Sequence, residues 1–560
     1  MKTASRRLLA AILLLILVAP GGFAPVAHAS AYNGRPKLVI VIIVDQFRGD
    51  YLERYREQFG QGGFRMLLDR GANFTECYYD YANTKTAPGH ATLFTGAYTS
   101  GHSIIGNDWY DPARKKSVSS VEDINFKLIG AKATESGASP RNLVASTVTD
   151  ELKLATQGKA RVFSVSFKDR SAIIPGGHSA NGAYWIEKDS GLFITSEYYA
   201  KQMPAWAATF NQQKRNEKYW NLDWKDAKGA VMRNTAPGQK DIDGSPLGFY
   251  DIVGRTPYSN DYMLEFTREL IVNEKLGTGP ATDFLVLSFS SYDILGHKVG
   301  PDSPELAAMT LALDKQLADF FGYVGRQFGL ANVWIALSSD HGIAPLSETS
   351  VGLRIPSTRL DTAEFRAQLN TALAAKLGQR QGGYLRSTYW PIVTLNEEAF
   401  GNLKEDDAEK LVGEAVMALH PEYAGYYTKS QLRVGEVRND AWGRKFLNSY
   451  SPNGGWWVML RPPPFDKAYS NPKWKNDTDH TTPYSYDAHI PLLFYGFPFQ
   501  PGTYRNKVEP IDMAVTLSSL LGINKPSHAV GRVLTEALAP VNPRAGSPAT
   551  EPEKRPERPR

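Results

Sequence analysis

The chain has 560 residues, 42% of them hydrophobic and 22% charged, with 48 glycines and 35 prolines, a globular balance that excludes a disordered protein. Its net charge of +5, from 63 basic and 58 acidic residues, is too even for the electrostatic footprint of a nucleic-acid binder, and no nucleic-acid partner is expected. A single cysteine, Cys77, excludes an intramolecular disulfide and any cysteine-built metal site.

Lys2, Arg6 and Arg7 precede an apolar run over 8–19, and Ala27-His28-Ala29 puts small residues where a signal peptidase reads them. Residues 1–29 are therefore expected to be a cleavable signal peptide. The apolar run is shorter than the roughly 20 residues a membrane helix needs. No later segment is long and apolar enough, so an exported protein without an integral membrane segment is expected, and the lone cysteine makes a periplasmic location the first choice and secretion the second. The β-branched run over 37–44 reads as a strand buried on both faces, and it stops at Asp45. Similar runs occupy 162–166, 283–289, 333–337 and 490–495. Helical patterns lie between them: Ser303-Pro304 opens one with an N-cap and a first-turn proline, and Asp361 with Glu364 forms a capping pair before another. A last helix is expected over 510–521, stopped by Gly522.

Strands alternating with helices predict an α/β fold, a mostly parallel central sheet with helices on both faces. The catalytic domain is expected over 30–541, as a monomer. Two stretches rich in aromatic and polar residues, near 180–258 and 346–480, fit the alternation poorly and are expected to be inserted cap segments. Residues 542–560, rich in Pro, Glu and Arg without apolar periodicity, are expected to be a disordered tail.

Open parallel sheets bind ligands beyond the carboxyl ends of their strands, and here those ends carry metal-ligand chemistry. Asp45 follows the first run, and Asp293 and His297 follow the 283–289 run. Asp340-His341-Gly342 follows the 333–337 run, and Asp487-Ala488-His489 precedes the last. Aspartate and neutral histidine suit Zn²⁺, and the four-residue spacing of Asp293 and His297 lets both point into one site. Each residue alone reads as a cap or a hydrogen-bonded structural group, but their joint placement supplies enough ligands for two metals. A two-metal clamp suits in-line displacement at phosphorus. Thr86 lies at the expected start of a helix, where free amides and the macrodipole favour a phosphoryl group. From this segment alone, Thr86 reads as no more than an N-cap.

Val44-Asp45-Gln46-Phe47-Arg48, the 83–96 segment, Gly106-Asn107-Asp108-Trp109-Tyr110, Ser166-Phe167-Lys168-Asp169-Arg170, the Asp293/His297 pair, Asp340-His341-Gly342 and the 487–491 segment together resemble the alkaline phosphatase superfamily. The resemblance runs over most of 36–525 and is closest to the phosphate-irrepressible phosphomonoesterases. It implies two Zn²⁺ ions, one held by Asp293, His297 and His489 and the other by Asp45, Asp340 and His341. Thr86 would join the second ion as a nucleophile that becomes phosphothreonine. Asn107, Lys168 and Arg170 would contact the phosphoryl oxygens, and the substrates would be small phosphate monoesters. His480 and Asp479, off these implied metal positions, read as structural or supporting groups. A sulfatase would need a Cys or Ser followed by Pro and Arg where Thr86-Ala87-Pro88 stands, and a phosphoglycerate mutase a Ser nucleophile. A nucleotide pyrophosphatase/phosphodiesterase is the principal alternative, but a diester leaves fewer charged oxygens for Lys168 and Arg170 to clamp. An inactive binding module should have lost a ligand or the nucleophile, and none is missing.

Overall fold

Seven consecutive residues, Leu38–Val44, are completely buried and form strand β1. Their side chains alternate between two cores: Leu38, Ile40, Ile42 and Val44 face one, and Val39, Val41 and Ile43 the other. This is the pattern of a central strand covered on both faces. The computed structural model describes residues 35–131 and 136–540, and the expected signal peptide and tail lie outside the described residues.

Nine more strands complete the sheet: β2 (Ala72–Tyr78), β3 (Leu128–Ile129), β4 (Val162–Ser166), β5 (Gly182–Ile186), β6 (Phe193–Ser196), β7 (Asp283–Phe289), β8 (Val333–Ser338), β9 (His489–Tyr495) and β10 (Gly502–Tyr504). Their order across the sheet is β10-β2-β9-β8-β1-β7-β4-β5-β6-β3. The centre, β8-β1-β7-β4-β5, is parallel throughout. Only β9 and β6 run against their neighbours, so the sheet is mostly parallel, as expected.

Helices cover both faces. Helices α3 (Tyr258–Asn273) and α5 (Pro304–Phe328) supply Tyr262, Phe266, Leu313 and Phe320 to the first core. Helices α1 (Thr86–Thr95) and α8 (Ile511–Leu521) supply Leu93, Phe94, Met513 and Leu517 to the second. Ser303 caps α5 through the Leu306 amide, with Pro304 in the first turn, as its sequence predicts. Two shorter helices, α2 (Asp169–Gly176) and α4 (Ser291–Val299), begin directly after sheet strands.

The stretch near 180–258 is not wholly an insertion, because its first part supplies β5 and β6 to the sheet. The later region builds a cap with its own core. Helices α6 (Thr362–Leu377) and α7 (Glu405–Leu419) pack Phe365, Leu369, Val412 and Val416 against Val393, Val458 and Leu460 of a separate four-stranded sheet. A third cluster joins cap to body: Ala87 and Ala91 of α1 and Trp109 share it with Phe446, Trp457 and Met459. The cap therefore rests on the helix that begins at Thr86.

His102 ties a short segment to that same helix. Its Nδ1 accepts from the Ile104 amide at 3.1 Å, leaving Nε2–H to face Thr92 Oγ1 at 3.2 Å. Burial drives this ring down to about 3, far below its ordinary 6.5. A folded-state value below the unfolded one means that acid favours the unfolded chain. This contribution is intact above pH 6.5 and is lost towards pH 3, at about 1.4 kcal/mol per pH unit. Between pH 6 and 4, urea unfolding should show wild-type stability falling more steeply than that of His102→Asn, which keeps an acceptor for the Ile104 amide but cannot titrate.

Candidate active site

Three parallel strands end at one edge of the sheet, and each delivers an acid there. Asp45 follows β1 and its amide donates to the Phe289 carbonyl at the end of β7 at 3.0 Å. The chain leaving β7 turns into α4, whose first two turns carry Asp293 and His297. Asp340 and His341 follow β8. Because β9 runs antiparallel, the loop entering it, which contains His480, arrives at this same edge.

The ligating atoms fall into two groups, Asp293/His297/His480 and Asp45/Asp340/His341, each with its atoms within 4.8 Å of one another. All three histidines are oriented alike. Their Nδ1 atoms face backbone carbonyls that can only accept: Thr478 for His297 at 2.8 Å, Thr84 for His480 at 2.6 Å and Gly342 for His341 at 2.9 Å. Nδ1 must therefore carry the proton, and Nε2 is left to face the carboxylates. His297 Nε2 is 3.1 Å from Asp293 Oδ1, and His341 Nε2 is 3.5 Å from Asp45 Oδ1 and 3.6 Å from Asp340 Oδ2. Asp45 Oδ1 and Asp340 Oδ2 are buried without a hydrogen-bond donor. Such convergence of acceptors in a buried site fits metal cations.

The electrostatics point the same way. Burial, then Asp293 and Asp340, raises Asp45 well above the usual carboxylate range. Burial also opposes ionisation of Asp293, but Lys168 and His297 outweigh it and hold that carboxyl well below its ordinary value. Burial lowers His341 and His480, keeping both rings neutral and able to ligate. His297 is the exception: burial opposes its charge, yet Asp293 pushes it up to about 10, so a positive charge belongs between the two.

Thr86 opens α1, is 1% exposed, and places Oγ1 3.4 Å from His341 Nε2, beside the second group. Gly89 allows this approach, because a Cβ there would lie 2.2 Å from the Asp340 carbonyl oxygen. Asn107 Oδ1 accepts from the Ala87 amide at 2.9 Å, which orients its NH₂ donors away from the helix end. Lys168 Nζ lies 2.6 Å from Asp45 Oδ2 and 2.5 Å from Asp293 Oδ2, spanning one carboxylate of each group. Arg170 is two residues on, with a buried, unpartnered Nε. Lys168 and Arg170 line a cavity of about 460 Å³ with Trp185 and Tyr250, so both border open space.

The structure brings together every expected site residue but one. His489 does not join the Asp293/His297 group. It opens β9 opposite Tyr78, stacks on that ring at 4.5 Å, and its Nε2 meets the Thr75 carbonyl at 2.8 Å. Strand register holds it at the edge of the sheet, and His480 takes the expected place, with Nε2 3.8 Å from Asp293 Oδ1 and its ring stacked on His341 at 3.6 Å. Spacing along the sequence did not separate the two histidines. The available signal was that His489 begins an apolar strand run whereas His480 sits in a polar loop free to turn inward.

The family model described as Type I phosphodiesterase / nucleotide pyrophosphatase matches residues 39–414. Alkaline phosphatase PhoV of Synechococcus elongatus is 33% identical over 541 residues, covering 90% of this chain and 93% of that protein. Alkaline phosphatase PafA of Elizabethkingia meningoseptica is 34% identical over 530 residues, covering 90% and 95%. The crystal structure of wild-type PafA superimposes with a TM-score of 0.81 at 31% identity, covering 91% of this chain and all of that one.

Metal analysis separates the two histidines. His480→Ala should lose about one bound zinc per chain after equilibration with a weak chelator, while His489→Ala should retain the wild-type content. Loss of zinc from His489→Ala alone would restore the first assignment.

Proposed function

The chain belongs to the type I phosphodiesterase / nucleotide pyrophosphatase family, and on that footing we propose that it is a dizinc alkaline phosphatase, hydrolysing phosphate monoesters through a phosphothreonine intermediate and releasing inorganic phosphate. The enzyme class is that of its relatives PhoV and PafA, phosphoric monoester hydrolases by name. The observation that carries the finer reading is the placement of Lys168 and Arg170 on one cavity wall, with Lys168 between the two groups of ligands.

In this reading Asp293, His297 and His480 hold one zinc, and Asp45, Asp340 and His341 the other. Bound zinc supplies Lewis acidity, easing loss of a hydroxyl proton and neutralising charge on phosphoryl oxygens. Thr86 Oγ attacks phosphorus, so an O–P bond forms to Thr86 as the bond to the leaving oxygen breaks. Asn107 donates its NH₂ to a non-bridging oxygen. Lys168 supplies a compact positive charge and Arg170 a bidentate fork to the others. A water molecule then attacks the phosphothreonine, freeing phosphate and restoring the Thr86 hydroxyl. The first turn of α1 favours negative charge at Thr86 throughout.

A monoester dianion offers more charge to this pair of cations than a diester does. The family model's description supports the second reading, a nucleotide pyrophosphatase/phosphodiesterase, in which Lys168 and Arg170 would have little to bind. The signal-like pattern over 1–29 supports export, with periplasmic residence of a catalytic domain over 30–541.

On zinc-loaded mature protein at mildly alkaline pH, kcat/KM for p-nitrophenyl phosphate should far exceed that for bis-p-nitrophenyl phosphate. Replacing Lys168 and Arg170 with alanine should cost the monoester reaction about 10²–10³-fold, the scale of a lost transition-state contact, and the diester reaction much less. A wild-type preference for the diester, or equal losses, would favour the second reading. Thr86→Ala should abolish acid-trapped phosphothreonine.

A further inference from the structure

Asp45 is followed by a residue whose backbone is unusual for its type. Gln46 is completely buried and has φ 70°, in the left-handed region that is strained for a residue with a Cβ. Glycine would meet no such strain. The side chain is therefore held in this conformation by what it and its backbone bond.

Those bonds reach both groups of ligands. The Gln46 backbone amide donates to Asp340 Oδ1 at 3.1 Å, and the carboxamide Nε2 donates to Asp293 Oδ1 at 2.7 Å. One residue thus orients an acid in each centre while its neighbour Asp45 belongs to one of them. The carboxamide cannot swing away easily, because it lies against α4: a Cβ on Gly296 would be 2.0 Å from Gln46 Oε1. Donors to metal-bound carboxylates fix which oxygen faces the ion, and removing such a partner typically costs 10–100-fold in metal affinity.

We propose that Gln46 is a positioning residue that joins the two metal centres, its backbone amide setting Asp340 and its carboxamide setting Asp293. The inference rests on the two-centre reading proposed above. Gln46→Gly relieves the backbone strain and keeps the amide, removing the carboxamide with its contact to Asp293 and its packing against α4. Gln46→Met keeps the strain and the bulk but lacks the donor, so it separates loss of the hydrogen bond from relief of strain.

Competition with a chromophoric zinc chelator on the purified full chain tests this. Wild type should take up two zinc ions. In both variants one of the two affinities should fall about 10–100-fold and the other should stay within roughly threefold, because the amide to Asp340 persists. The metal-free Gln46→Gly protein should unfold in urea at the wild-type midpoint or above it, which excludes a general folding defect. Two unchanged affinities, or two that fall together, would overturn the role assigned to Gln46. Failure of the wild type to bind two zinc ions would instead overturn the two-centre reading, and this inference with it.

Discussion

Three carboxylates, Asp45, Asp293 and Asp340, are buried at one end of a sheet within reach of one another, and the rest of the site follows from that concentration of charge. Like charges removed from water repel strongly and lose their hydration, so they persist only beside compensating cations. Lys168 bridges two of the three carboxylates, and the histidines turn Nε2 toward the same space because backbone carbonyls bind their Nδ1 protons. The Lys168 ammonium offsets part of this charge, and cations held by the two groups of ligands would offset the rest, taking the place of a proton on His297 Nε2.

The scaffold makes this crowding possible by being rigid where the acids attach. β1 pairs in register with β7 along its whole length and with β8 along nearly all of it, so the exits of three strands are fixed relative to one another. The second core, through Leu93 and Phe94, and the cluster under the cap, through Ala87 and Ala91, hold α1 in place. Thr86 is then presented from a helix end rather than from a free loop, and the cap shares a core with that helix.

Legibility in the sequence tracked burial. Continuous β-branched runs such as those of β1, β7 and β8 could be recognised because a strand covered on both faces has no polar alternation. β2, which reads ANFTECY, and the short strands β5, β6 and β10 carry mixed or brief patterns and were not recognisable. The direction of β9 was also hidden, because hydrophobic pattern is the same whichever way a strand runs. That direction matters: it carries the loop of His480 to the ligand edge, where strand register holds His489 against Tyr78 and the Thr75 carbonyl instead.

The sequence by itself determined which kinds of side chain the site could draw on, since residue type fixes which groups can carry charge or donate a lone pair to a metal. Asp45, Asp293, His297, Asp340 and His341 stand after strand runs, where topology and ligand chemistry coincide, whereas Thr86, Asn107, Lys168 and Arg170 were singled out through the resemblance to a known family. Only the tertiary structure placed His480 rather than His489 beside Asp293 and His297, and only it revealed Gln46 touching an acid of each group. Those choices depend on strand direction, register and a left-handed backbone turn, which arise from packing among distant segments and leave no mark in the order of the residues themselves.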